Sequence, residues 1–245
     1  MEYVYEQVRH NYEDFSSGRV LLNAGGTTAF PVRLASELYL RAKSYLPPER
    51  GEQPITIYDP CCGGAYLLTT LGLLHGQGIG RLVGSDIDGK AVELAKRNLA
   101  MANPEGIAER LAQLTALYAA FGKTSHKEAI ESAERLQERI ARRNSRIETV
   151  CFQADATGER ADYWNAGGQA ADIVMTDVPY GNVVTWSSED ADPLDSLLNH
   201  LLGVVRAGSV VVVVADKKQA IAHPAYKRLE KLKIGKRQAA ILAPL

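Results

Sequence analysis

Short, nearly unbroken apolar runs alternate with helical periodicity along most of this chain. The runs PITIYDP (54–60), RLVGSD (81–86), IETVCFQAD (147–155), ADIVMTD (171–177) and SVVVVVAD (209–216) have strand length. Such runs fit strands buried on both faces. Between them, FPVRLASELYLRAKSYLPP carries an amphipathic helical pattern, with Pro31 at the predicted first helical position and Pro47-Pro48 as its stop. YLLTTLGLLHG, from about Tyr66, and GKAVELAKRNLAMAN, up to Pro104, read as two more helices, and PLDSLLNHLLGVVR as another. Alternating strands and helices predict an α/β chain whose mostly parallel sheet is covered by helices on both faces.

Residues 104–146 break the alternation. PEGIAERLAQLTALYAAFGK and SHKEAIESAERLQERIARRNS both read as helices, with Gly122 as a stop and Ser125 as the predicted N-cap. They are too short for a core of their own and read as a helical hairpin inserted in the domain. The tail, YKRLEKLKIGKRQAAIL, has Gly235 between two partly alternating runs and predicts a closing antiparallel hairpin, for seven strands in all. The expected organisation is one domain over 1–245, with an N-terminal helical segment (1–50), the inserted hairpin (104–146) and a basic C-terminal hairpin (217–245).

Composition narrows the class. The chain is 46% apolar and 23% charged with a formal net charge of −1, which fits a soluble globular protein, and no apolar run approaches bilayer-spanning length. The polar, acidic start lacks a signal-peptide pattern, so a cytoplasmic location is expected. Cys61 and Cys62 are adjacent and Cys151 is distant, so neither a disulfide framework nor a zinc spacing can be drawn. The five His residues form no metal or triad spacing either, and no metal is expected. With net charge near zero, any nucleic-acid partner must be met by local positive charge.

Four strand ends carry aspartate: Asp59, Asp86, Asp155 and Asp177. Taken singly, each is explained by a helix cap or a turn. Together they line the carboxyl edge of the sheet, where open α/β folds bind ligands. The loop DPCCGGAY leads from the first strand into a helix, with small residues where backbone must approach a ligand closely. It is not the G-x-G-x-x-G of a dinucleotide site. Asp86, 23 residues beyond Gly63, can accept from ribose hydroxyls. NAD and S-adenosylmethionine (SAM) both need that acid, but SAM has no pyrophosphate and does not need the triple glycine. Asp155 can accept from an adenine amino group, or cap the next turn.

At TDVPYG (176–181), Asp177 offers an acceptor to a base amino or ring N–H. Pro179 fixes the local backbone, and Tyr180 offers a stacking face worth about 1–3 kcal/mol per base. The plain reading is a proline turn with Tyr180 in the core. The SAM-like loop on the first strand favours the site. Neither Cys61 nor Cys62 has a His partner in reach, so both read as small loop residues and Cys151 as strand core.

On DPCCG, TDVPYG and LKIG, with the more generic GSDID and QAD, the chain resembles the class I SAM-dependent methyltransferases. Within them it is similar to the AviRa-type avilamycin-resistance rRNA guanine methyltransferases. The resemblance implies a Rossmann-like methyltransferase sheet, SAM as donor, and a guanine of 23S rRNA methylated at N1 or the exocyclic N2. It also implies resistance to orthosomycin antibiotics. Carried over by position, Asp59, Pro60, Cys61, Cys62, Gly63, Gly64 and Tyr66 would form the SAM loop, Asp86 would hold the ribose and Asp155 the adenine. Asp177, Pro179 and Tyr180 would hold the target base. Where such enzymes usually show DPCCGSGY, Gly64 and Ala65 stand here. If that second position takes positive φ, Ala65 costs about 1 kcal/mol or shifts the loop.

The expected partner is 23S rRNA or the large ribosomal subunit, met by a monomer. Between Lys217 and Arg237 there are eight basic residues against Glu230 alone. Lys217, Lys218, Lys233, Lys236 and Arg237 are the candidate RNA contacts. Arg143, Arg146, Lys123 and Lys127 on the inserted hairpin are weaker candidates, since its mixed charges fit a solvated helix. DVPY would also serve an adenine or a protein glutamine amide, and a non-catalytic SAM- or RNA-binding module is the alternative of another class.

Overall fold

A computed structural model of the protein describes residues 1–23, 29–51, 53–143, 145–158, 170–178 and 192–245. Seven strands form one sheet: β1 (Ile55–Asp59), β2 (Ile79–Asp86), β3 (Glu148–Gln153), β4 (Ile173–Asp177), β5 (Val210–Asp216), β6 (Tyr226–Ile234) and β7 (Arg237–Pro244). Their order is β3-β2-β1-β4-β5-β7-β6. The first five are parallel, while β7 runs antiparallel to β5 and β6 to β7. The described helices are α1 (Val32–Ser44), α2 (Pro48–Gly51), α3 (Tyr66–His75), α4 (Gly89–Ala100), α5 (Pro104–Phe121), α6 (Thr124–Ala141) and α7 (Pro193–Leu201).

The period-2 geometry of β5 divides its valines between two cores. Val210, Val212 and Val214 pack with Leu34, Leu38, Leu68 and Leu71 of α1 and α3 on one face. Val211 and Val213 pack with Leu194, Leu197, Leu198 and Leu201 of α7 on the other. This burial on both faces explains why the strands read as continuous apolar runs.

Helices α5 and α6 form the inserted hairpin, joined through Gly122 in the left-handed region at φ 61. The second helix starts at Thr124 with Lys123 as its N-cap, so Ser125 lies inside the helix and does not cap it. A third core cluster joins Leu114, Ala129, Ala133, Leu136 and Ile140 of the hairpin to Phe15, Val20 and Leu21 of the N-terminal segment. Ion pairs at its rim join Arg135 to Asp14 and Arg19 to Glu128. The 1–23 segment contains only a short 3-10 turn at Glu13–Phe15 among its described helical elements. It is held by Glu37, whose buried carboxylate accepts from the N–H groups of Val4, Tyr5 and Glu6 at 2.8, 2.9 and 2.8 Å and from Arg41 Nε at 2.7 Å.

Candidate functional site

The carboxyl ends of β1, β2, β4 and β5 place Asp59, Asp86, Asp177 and Asp216 along one edge of the sheet. Parallel strands must share an edge in this way, and crossover helices return the chain to the other edge. The β6–β7 turn reaches the same edge, because Arg237 pairs in register with Asp216 and Ile234 with Arg237. Acidic strand ends and a basic hairpin turn therefore lie side by side.

The loop after β1 is folded onto the end of β2. The Cys61 N–H donates to Asp59 Oδ1 at 3.1 Å and the Cys62 N–H to the Ser85 carbonyl at 2.9 Å. Gly63, at φ 51, donates its N–H to Asp86 Oδ2 at 2.8 Å, while Asp86 Oδ1 accepts from the Asp88 N–H at 3.0 Å. Each Asp86 oxygen retains a second lone pair for a ligand hydroxyl. A Cβ on Gly64 would lie 2.9 Å from Leu94 Cδ2, so a larger residue there would require the Leu94 side chain of helix α4 to shift. Ala65 adopts φ 55 and ψ 31 and is fully buried at the start of α3, so the strain anticipated at this position is present. Tyr66 opens α3 and its hydroxyl donates to the Phe15 carbonyl, tethering the N-terminal segment.

Asp59 is 2% exposed. Burial pushes its carboxyl up to about 7, and the nearby Asp86 and Asp177 add to this, against the Thr176 side chain and the Cys61 N–H. Burial likewise pushes the Cys61 thiol well above its ordinary range, and contact with Cys151 does so for Cys62, whose sulfur lies 3.9 Å from that of Cys151. Neutral, buried thiols do not act as nucleophiles. Asp155 lies two residues past β3 and its Oδ1 accepts from the Thr157 N–H and hydroxyl, both at 2.8 Å, so it shapes the following turn.

Asp177 ends β4, and its Oδ2 lies 3.4 Å from Arg237 Nη1. Pro179 and Tyr180 lie outside the described residues. Lys217, Lys218, Lys233 and Lys236 are exposed at or beside the edge turns, where the Lys217 N–H donates to the Lys236 carbonyl at 3.1 Å. The arginines that follow the inserted hairpin engage protein groups. Arg143 donates to the carbonyls of Gly72 and Ala102, which makes it structural, while Arg146 pairs with Glu105 at the exposed surface, as a solvated charged face would. Sequence reasoning also passed over Asn98. Its signal was a polar residue at an apolar-periodic position of α4, and it proves fully buried, with Nδ2 2.7 Å from the Gly64 carbonyl. Among the described residues, no group of three or more His, Cys, Asp or Glu is arranged to hold a metal, and no helix is long and apolar enough to cross a membrane.

In sequence and fold the chain is similar to known proteins. The family model described as rRNA methyltransferase AviRa matches residues 1–237. A protein of Streptomyces viridochromogenes named 23S rRNA (guanine(2535)-N(1))-methyltransferase is 39% identical over 235 residues, covering 96% of this chain and 92% of its own length. Two solved structures of the rRNA methyltransferase AviRa from the same organism superpose with TM-scores of 0.87 and 0.89. They are 38% and 37% identical, and cover 98% and 99% of this chain and 96% of theirs. TrmN from Thermus thermophilus, 16% identical, shares the fold at a TM-score of 0.52 over 93% of this chain and 52% of its own.

Proposed function

The chain belongs to the AviRa family of rRNA methyltransferases, and from that premise we propose that it methylates N1 of a guanine in 23S rRNA with SAM as donor, giving resistance to orthosomycin antibiotics. The observation that carries the reading is the pairing of two features on one sheet edge. One is the glycine loop closed onto Asp86, and the other is the Asp177 carboxylate at the end of β4.

The donor set fits SAM. The loop from Asp59 to Tyr66 lacks the G-x-G-x-x-G whose backbone N–H groups cradle a pyrophosphate, while the acidic edge suits a sulfonium cation. In this reading the 59–64 loop cradles SAM, Asp86 holds the ribose hydroxyls and Asp155 receives the adenine amino group. When bound, SAM supplies a methyl group already activated by its positive sulfur. The protein's own work is orientation and proton removal. Guanine N1 carries a proton at neutral pH, and in this reading Asp177 accepts it. Lys217, Lys218, Lys233 and Lys236 flank the same edge and would take rRNA phosphates, fixing the register of the base without reading it.

The test is labelling with tritiated SAM of naked 23S rRNA, large subunits and tRNA in parallel, followed by nucleoside analysis. N1-methylguanine in large-subunit rRNA is the expected product. Label in adenine or in protein would replace the substrate, and no SAM binding at millimolar concentration would reduce the chain to an RNA-binding module.

A further inference from the structure

By sequence Arg237 groups with the RNA-facing lysines, but its surroundings differ from theirs. It is the first residue of β7 and its guanidinium reaches the end of β4, with Nη1 3.4 Å from Asp177 Oδ2. It lies 6.0 Å from the ring centroid of the buried Phe30. The Arg237 and Asp177 side chains are 25% and 27% exposed at this edge.

We propose that Arg237 is a catalytic residue: it donates to O6 of the target guanine and stabilises the negative charge that develops there as the N1 proton leaves. The inference rests on the reading of this chain as a guanine-N1 methyltransferase. A carboxylate and a guanidinium side by side present an acceptor next to a donor. Guanine presents a donor, N1–H, next to an acceptor, O6, so the two edges are complementary. Adenine in the same pose would set its N1 lone pair against the carboxylate and its amino group against the guanidinium, leaving both pairs mismatched.

The chemistry balances without a further reactant. The N1 proton passes to Asp177 and the N–H electron pair stays with the ring, its charge shared with O6. The N1 lone pair then forms the bond to the methyl carbon while the carbon–sulfur pair remains on sulfur. The product guanine is neutral and Asp177 later returns its proton to solvent. A fixed cation at O6 lowers the cost of the charged stage, because donors already in place need no reorganisation when the charge appears.

The experiment compares wild type with Arg237→Gln and Arg237→Lys. Single-turnover methyl transfer, rRNA affinity, SAM affinity by calorimetry and Tm are measured from pH 6 to 9. Arg237→Gln is expected to slow transfer at neutral pH by about 10²–10³-fold. Its rRNA and SAM affinities should stay within about threefold, and the deficit should shrink as pH rises, because solvent then helps to remove the N1 proton. Arg237→Lys keeps the charge without the fork and should recover about tenfold of the loss, which keeps the proposal testable if the Gln variant folds poorly. Wild-type transfer at saturating rRNA, with weaker binding and a salt slope lowered by about one, would make Arg237 a phosphate contact and overturn the proposal. Absence of N1-methylguanine from wild-type product would instead sink the functional reading itself.

Discussion

The side-chain amide of Asn98 donates to the carbonyl of Gly64 at 2.7 Å, although the two residues are 34 apart in sequence. The same Nδ2 also donates to the Leu22 carbonyl at 2.9 Å, and Oδ1 accepts the Leu22 N–H at 2.8 Å. One buried amide thus binds helix α4 to the loop after β1 and to the N-terminal segment. Asn98→Ala leaves three backbone groups without that partner and should cost about 3 kcal/mol. It should also weaken SAM binding by releasing the loop. Thermal unfolding and calorimetry check both effects; unchanged SAM affinity in the folded variant would show that the loop holds its shape alone.

At Ala65 two effects of similar size oppose each other. Glycine would relieve about 1 kcal/mol of left-handed strain but remove a fully buried methyl worth about as much. Ala65→Gly is therefore expected to change stability by less than about 1 kcal/mol and SAM affinity by less than threefold. Ala65→Val adds a β-branched side chain at positive φ and should lose SAM binding. Denaturant midpoints and calorimetry of the pair decide the matter.

Asp59 links ligand binding to pH. Burial raises its carboxyl from the ordinary 3.8 to about 7. Between those values the folded state binds more protons than the unfolded state, so the ligand-free protein loses stability as pH rises from about 4 to about 7. A cationic ligand at the edge favours the ionised form. SAM affinity should then climb with pH up to about 7 and level off above it, with proton release on binding below that point. Calorimetry in buffers of different ionisation enthalpy measures the release, and Asp59→Asn should flatten the profile.

Asp177 separates chemistry from donor binding. Asp177→Ala should lower methyl transfer by at least about 10²-fold, the usual scale for loss of a general base, while SAM affinity stays within about threefold. Equal loss of both would mean that the carboxylate shapes the β4 end and nothing more. Tritium transfer and calorimetry on one preparation distinguish the outcomes.

Glu37 governs the N-terminal segment. Burial works against its charge, yet the N–H groups of Glu6, Val4 and Tyr5 together with Arg41 outweigh it and hold the carboxyl below the ordinary 4.5. A depressed carboxyl contributes stability that is present above the unfolded value and lost as pH falls through the folded one. Protection of the Val4, Tyr5 and Glu6 amides from hydrogen exchange should therefore persist at the ordinary 4.5 and fade as pH falls below it, and Glu37→Gln should weaken it at neutral pH as well. Protection that survives both changes would place the anchoring elsewhere.

By itself the sequence determined the local elements and their chemistry. Continuous valine runs could only be strands covered on both faces, Gly122 and Gly235 marked two reversals, and aspartates at strand ends followed from where parallel strands stop. Hydrophobic period and turn chemistry are short-range signals, so one chain is enough to read them. The N-cap of α6 lies two residues before the expected Ser125, at Lys123, because backbone turn geometry, rather than a side-chain cap, begins that helix. Tertiary structure alone decided which distant residues share the edge. It set Asn98 under Gly64, paired Arg135 with Asp14, and bound Arg143 to the carbonyls of Gly72 and Ala102. It also carried Arg237 across β5 to Asp177, 60 residues away. Such pairings depend on strand order and register, which arise when the whole sheet closes, and no local pattern encodes them.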